Sequence, residues 1–412
     1  MQSDLARCFS HDDPRFSSTC YSLPNQLHGG MTSPLALLKA FALLLAFLLI
    51  PIGFLGLCFL RTWEGLLLSM CLGFFGAGPV LWFIGEERGQ PMQQKTGMTL
   101  LVLSLIGVTL AIWAAPNGHT VATERIHTRY SDGGWHYSRS SIGTLMPEID
   151  QIRLGYAAAV TIDPYFDRAQ RRELSTMTDA IYAEMEHDSG FRAVGSALPA
   201  IYREMSFSEF RDGHYFHYIP ASVDRTKPTP ALVFLHGSGG NFKAYIWLLS
   251  KIADELGITI VAPTFGMGNW EKRGAYDVIT RAIADAGTHA AIDPNQIHLM
   301  GLSNGGKGVC LAESGAGPQF RSLIYLSAVF HSRIQAESLA ARLKHRPVLV
   351  ISGGSDDRVP WSYVSDYAGR LKSAGLIVTT RQFAGDDHFL FFRKRSEVLR
   401  MITDWLKTGH KF

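Results

Sequence analysis

The sequence predicts an α/β fold, a mostly parallel sheet covered by helices, preceded by three transmembrane helices. Three observations lead there. Beyond residue 205, short apolar β-branched runs alternate with amphipathic stretches, the pattern of a parallel sheet buried on both faces. Before it, residues 35–60, 65–84 and 98–115 are long apolar stretches; the first carries one charge, Lys39, and the others none. Finally, Gly301-Leu302-Ser303-Asn304-Gly305 directly follows the apolar run that holds Ile297, Leu299 and Met300. Glycines two before and two after a serine leave room for a sharp strand-to-helix turn.

Along the chain, residues 1–34 are polar, rich in Pro, Ser and His, and read as a disordered tail; Met31 is a second candidate start. A bilayer core needs about 20 apolar residues per helix, and the next three stretches supply them. Lys39 sits where a lysine snorkels to the interface, and Pro51 is tolerated inside a span. Gly73, Gly76, Ala77 and Gly78 form a small-residue face for helix packing. Arg61-Thr62-Trp63-Glu64 makes a tight hairpin, and Trp82 and Trp113 fall near span ends as belt residues do. Arg7, Arg15, Arg88 and Lys95, with Lys39 at the boundary, lie on the N-terminal side, against Arg61, Arg125 and Arg129 on the other. The positive-inside rule then puts the N-terminus in the cytoplasm and the C-terminal region outside it.

Residues 116–204 read as a linker and helical region. Leu174, Met177, Ile181 and Met185 recur at helical spacing over 167–187, with Ser189-Gly190 as a stop. That stripe is a packing surface or, alternatively, part of a lid or of a collar against the membrane. From 205 to 412 a catalytic domain is expected. Strands are predicted at 214–219, 231–235, 258–262, 297–302, 322–327, 347–353 and 377–383. Helices are predicted at 241–256, 274–289, 304–314, 361–373 and 394–406.

Ligands bind such sheets beyond the carboxyl ends of the strands, and four motifs stand there. They are His236-Gly237-Ser238-Gly239-Gly240, the Ser303 pentapeptide, Asp356-Asp357-Arg358-Val359-Pro360, and Gly385-Asp386-Asp387-His388. A serine becomes a nucleophile only when a base takes its proton, and histidine fills that role near neutral pH. An acid orients the imidazole. The bland reading of Ser303 is a helix N-cap. The chain has 412 residues, a net charge of +3 and no block of like charge, which excludes a nucleic-acid partner. Only Cys310 of the five cysteines lies beyond residue 71, so the C-terminal part holds no internal disulfide. No cysteine–histidine cluster suggests a metal, and no cofactor is expected.

Those four motifs, in that order, resemble the α/β-hydrolase superfamily over residues 205–412. The Ser303-Asn304-Gly305-Gly306 form is similar to polyester-depolymerase, feruloyl-esterase and dienelactone-hydrolase relatives, with prolyl-oligopeptidase-like peptidases close by. The resemblance implies Ser303 as nucleophile, His388 as base and Asp356, at the Asp-x-x-Val-Pro spacing, as acid in preference to Asp357. Asp386 and Asp387 are expected in a solvated turn. The oxyanion hole is assigned to the backbone N–H groups of Ser238 and Asn304, with Gly239 as the alternative donor. His236 is expected to support that loop. Phe265, Trp270 and Phe330 follow strand ends and are candidate substrate-binding residues, with core packing the alternative. Cys310 is expected to be buried. The implied activity is hydrolysis of a small-molecule or lipidic carboxylic ester at the membrane. A peptidase or amidase uses the same triad, and a non-catalytic interaction protein is the other class.

Overall fold

The computed structural model describes residues 34–114, 125–129, 142–207, 214–315, 319–343 and 346–409. Residues 1–33 of the predicted tail, and residues 116–124 and 130–141 of the region predicted as linker, lie outside them. Three helices lead: α1 (Pro34–Phe59), α2 (Trp63–Glu87) and α3 (Pro91–Ala114). Each is long and apolar enough to cross a membrane. Phe41, Phe47 and Phe54 of α1 stay exposed, as on a helix solvated by lipid. α2 and α3 outrun their apolar stretches because polar residues continue them. Pro91 fits the first turn of α3, where its missing N–H costs nothing. Lys39 pairs with Glu87 at 2.7 Å, tying the start of α1 to the end of α2. The small-residue face divides: Gly76 abuts α1 at Ala46 and Leu49, whereas Gly78 abuts α3 at Gly97 and Leu101.

A helical layer comes next: α4 (Ile142–Leu145), α5 (Glu148–Ile162), α6 (Arg168–Glu186), α7 (Ser189–Ala193) and α8 (Leu198–Phe207). The strands are β1 (Ile126–Arg129), β2 (Tyr215–Tyr218), β3 (Thr229–Leu235), β4 (Thr259–Pro263), β5 (Ile292–Leu302), β6 (Ser322–Leu326), β7 (Pro347–Gly353) and β8 (Ile377–Phe383). They form one sheet in the order β1-β2-β4-β3-β5-β6-β7-β8. β2 alone runs against the others. Around the sheet lie α9 (Lys243–Leu256), α10 (Ala275–His289), α11 (Gly305–Ser314), α12 (Ala336–Leu343), α13 (Trp361–Ser373), α14 (Leu390–Arg393) and α15 (Arg395–Lys407). Alternation along β3 shows the two-faced burial: Leu232 and Phe234 enter one core, Val233 and Leu235 the other.

One boundary moves. The domain expected to begin at 205 begins earlier, because Ile126–Arg129, predicted within the linker, pairs with β2 as an edge strand. Four residues carry too little period to read as a strand, and their partner lies far along the chain. The helical layer is also inside the domain. Ile152, Ile181, Tyr182 and Phe191 share a core with Phe216, Leu232 and Trp247. Leu174, Ile181 and Met185 of the predicted stripe are buried, so the stripe is packing surface.

The first turn of α5 joins the three leading helices to the sheet. Glu148 accepts the backbone N–H of Lys243 at 2.8 Å, at the amino end of α9. It also accepts the hydroxyls of Tyr182 and Ser196. Asp150, two residues on and buried, turns to the other side. It accepts the N–H groups of Arg61 and Thr62, each at 3.2 Å, and the Thr62 hydroxyl. Thr62 in turn caps α2 by accepting from Gly65 N–H at 3.0 Å. Arg153 completes the cluster, reaching both Asp150 and Asp179. Two acidic residues on one turn therefore serve two helix amino ends, where partial positive charge and unpaired N–H groups favour carboxylates.

Candidate active site

Ser303 stands between β5 and α11 with φ +51. A side chain in this left-handed region costs about 1–2 kcal/mol. Three backbone bonds hold it there: Ser303 N–H donates to Leu326 O at 2.9 Å, and its carbonyl accepts from Gly306 and Val329, both at 2.9 Å. The flanking glycines are required by close approach. A methyl on Gly305 would collide with the carbonyl of Leu235 at the end of β3, and one on Gly301 with Gly305 itself. The turn thus presses against its neighbouring strand and leaves the hydroxyl standing out.

His388, in the loop after β8, reaches Ser303 Oγ with Nε2 at 2.9 Å. Its Nδ1 lies 2.7 Å from Asp356 Oδ2. A carboxylate only accepts, so Nδ1 carries the proton donated to Asp356, and Nε2 is left to accept from the Ser303 hydroxyl. Asp356 is buried just past β7, and its Oδ1 accepts the N–H groups of Val359 at 2.8 Å and Arg358 at 3.0 Å. Those two bonds fix the carboxylate and explain why the Asp-x-x-Val-Pro spacing selects Asp356 over Asp357. Asp386 lies 3.6 Å from Arg393. Arg393 binds Asp387 at 2.9 Å, where a solvated turn was expected.

On the other side, Asn304 Nδ2 donates to Ser238 Oγ at 2.7 Å, so the two predicted donor residues stand together. Neither backbone N–H has a backbone acceptor among the described residues. Gly239 is different: its N–H donates to Met267 O at 3.3 Å, which withdraws it as a donor. His236 is fully buried, with Nδ1 2.8 Å from Gly237 O and Nε2 accepting from Phe265 N–H at 3.1 Å. Burial pushes its pKa down to about 4, so it is a neutral brace for the loop.

Phe265, Trp270 and Phe330 do not line the site. They are 1%, 0% and 4% exposed and belong to the core. Phe265 stacks on Trp270 at 5.3 Å, and Phe330 on Tyr367 at 3.6 Å. Position after a strand brings a residue to the right end of the sheet, but aromatic area drives it inward. Cys310 is buried, and desolvation raises its pKa. A cavity of about 510 Å³ between Arg125, Glu184, His187 and Lys251 lies elsewhere and contains none of the three residues.

Two residues near the site gave no signal in the sequence. Arg358 binds Asp163 at 2.6 Å and the Tyr165 carbonyl at 3.0 Å, fastening the α5–α6 turn beside Asp356. An arginine two residues past an acid has no pattern of its own. Glu204 on α8 accepts Gly266 N–H, and Ile201 of the same helix lies against Gly240. Burial pushes Glu204 up to about 8, opposed by Gly266 N–H and Arg203. Its folded pKa therefore lies above the unfolded value of about 4.5, so the folded state holds a proton that the unfolded state has released. Stability then falls as pH rises from about 4.5 to about 8. Glu204→Gln is expected to remove that slope: its melting temperature should exceed that of wild type progressively across the window. Parallel melting curves for the two proteins would reject the assignment.

The strand order, the single reversed strand, and a serine turn after β5 with an acid after β7 and a histidine after β8 define an α/β-hydrolase fold. No protein-family model and no curated protein sequence matches the chain. Among solved structures, it is similar to a butyrate-bound thermophilic esterase of Thermogutta terrifontis, at 18% identity and TM-score 0.40, covering 48% of this chain and 90% of that one. It is also similar to an acylaminoacyl peptidase of Pyrococcus horikoshii, at 16% identity and TM-score 0.41, covering 48% of this chain and 40% of that one. At these values the likenesses carry no argument about activity.

Proposed function

We propose that the chain is a membrane-anchored serine hydrolase that cleaves carboxylic esters. The observation that carries this reading is His388 bridging Ser303 and Asp356 at 2.9 and 2.7 Å while Ser303 is held in a left-handed turn. In the reaction, Ser303 Oγ attacks the ester carbonyl carbon as its proton passes to His388 Nε2. The oxyanion takes hydrogen bonds from Ser238 and Asn304 N–H. Collapse breaks the bond to the alcohol, which leaves with the proton from His388. Water then attacks the acyl-enzyme, again deprotonated by His388, and frees the acid and Ser303. Asp356 keeps the imidazole in the required tautomer and stabilises its cation.

Anchoring rests on the three apolar helices. Three spans place the α1–α2 turn and everything after α3 on one side, which agrees with Asp150 gripping Arg61 and Thr62. The arginine and lysine distribution favours the extracytoplasmic side; a reporter fused to the C-terminus that works in the cytoplasm would reverse that orientation. The activity is tested with a fluorophosphonate probe on the solubilised full chain. Labelling that maps to Ser303, with turnover of p-nitrophenyl esters well above that of peptide anilides, is the expected result. No labelling of folded protein would sink the hydrolase reading. Faster cleavage of anilides would favour the peptidase instead.

A further inference from the structure

We infer that the α5–α6 turn rests on the bilayer and presents the site to esters held in the membrane. This deepens the hydrolase reading and rests on it. First, the turn lies at the level of the membrane surface. Arg171, on the first turn of α6, has its guanidinium 5.8 Å from the ring of Phe59, the last residue of α1. Further along α6, Asp179 reaches Arg61 at 3.3 Å. Those two α6 residues stand about 12 Å apart along the axis at about 1.5 Å per residue, yet they meet neighbouring residues at the tip of α1. Both contacts fall within two residues of the carboxyl end of α1, so this stretch of α6 sits at the level where α1 leaves the bilayer. The turn just before it is held at that level.

Second, the turn carries the side chains an interface takes. Ile162 is 80% exposed and Tyr165 52% exposed. Beside them stand Arg168 and Arg172, both exposed. Nearby carboxylates are already engaged: Asp163 by Arg358, Asp167 in capping α6, and Glu173 by Arg393. An exposed isoleucine and tyrosine next to outward arginines match acyl chains below and anionic headgroups above.

Third, the same turn abuts the reacting groups. Asp163 and the Tyr165 carbonyl hold Arg358, two residues from Asp356. Phe166 packs on Phe389 at 5.9 Å, and Phe389 lies against the His388 ring at 5.7 Å. On the oxyanion side, Met267 and Met205 are also exposed, at 46% and 60%. The mouth therefore has an apolar rim next to the membrane, and the substrate class that fits is a long-chain acyl ester dissolved in the bilayer.

The test uses the full chain in lipid nanodiscs of phosphatidylcholine with and without phosphatidylglycerol. Two substrates share one leaving group: soluble 4-methylumbelliferyl acetate and bilayer-held 4-methylumbelliferyl oleate. I162S/Y165S and R168Q/R172Q are expected to keep probe labelling of Ser303 and acetate turnover, and to lose roughly tenfold on oleate. The arginine variant should lose it only in discs that contain phosphatidylglycerol. Unchanged oleate turnover in both variants, or equal loss on both substrates, would overturn the inference. Wild-type turnover of acetate but not oleate would also overturn it while leaving the hydrolase reading intact. Absence of labelling and of both activities in folded protein would overturn the two together.

Discussion

Ser303→Ala is expected to lower ester turnover by a factor on the order of 10⁵–10⁶, the scale at which losing the nucleophile disables a whole triad. In the proposed mechanism His388 and Asp356 act through one atom. With Oγ gone, His388 Nε2 has no proton to take, and residual rate comes only from binding and the amides of Ser238 and Asn304. The loss should appear in kcat, because the ground state of the ester gains little from Oγ. Ser303→Gly separates chemistry from strain. It is equally inactive, yet it relieves φ +51 and should unfold at a higher denaturant midpoint, by about 1 kcal/mol. Retention of more than a small fraction of turnover in the alanine variant, measured after excluding contaminating esterases by active-site titration, would remove Ser303 from the role.

Asp150→Ala is expected to destabilise the protein by about 3–5 kcal/mol, the cost of breaking a buried ionic cluster from one side. Two backbone N–H groups, the Thr62 hydroxyl and Arg153 lose their acceptor together. Asp150→Asn should recover little, since an amide NH2 would face a donor where the carboxylate faced one with an oxygen. Chemical unfolding in detergent measures the difference. Because Asp150 links α5 to the amino end of α2, protease cleavage at the α1–α2 turn should also rise in the variant. A change below about 0.5 kcal/mol, inside the range of ordinary surface substitutions, would show that the three apolar helices and the sheet are joined mainly by other contacts.

The elements that the sequence revealed are those whose signal is local. The strands at 347–353 and 377–383 and the helix at 361–373 occur where predicted, because period and β-branching are properties of a few adjacent residues. Ser303, Asp356 and His388 were legible for a related reason: each stands in a short motif whose spacing reflects one turn. Interpretation weakened where burial decides. Phe265, Trp270 and Phe330 read as pocket or core with equal ease until packing placed them inside. Gly239 was one of three candidate donors until Met267 took its N–H. β1 stayed hidden because its partner strand, not its own residues, makes it a strand.

By itself, then, the sequence determined the alternating α/β pattern, three membrane-capable helices and the three side chains that meet. Each of these follows from periodicity, length or turn chemistry within a short window. Only the tertiary structure decided how the parts join: Glu148 and Asp150 on one helical turn serving two distant helices, Arg358 fastening the α5–α6 turn, and Arg171 and Asp179 of α6 reaching Phe59 and Arg61. Such contacts pair single polar residues far apart in the chain. A lone carboxylate or guanidinium carries no period, so its partner becomes visible only when the fold has brought the two together.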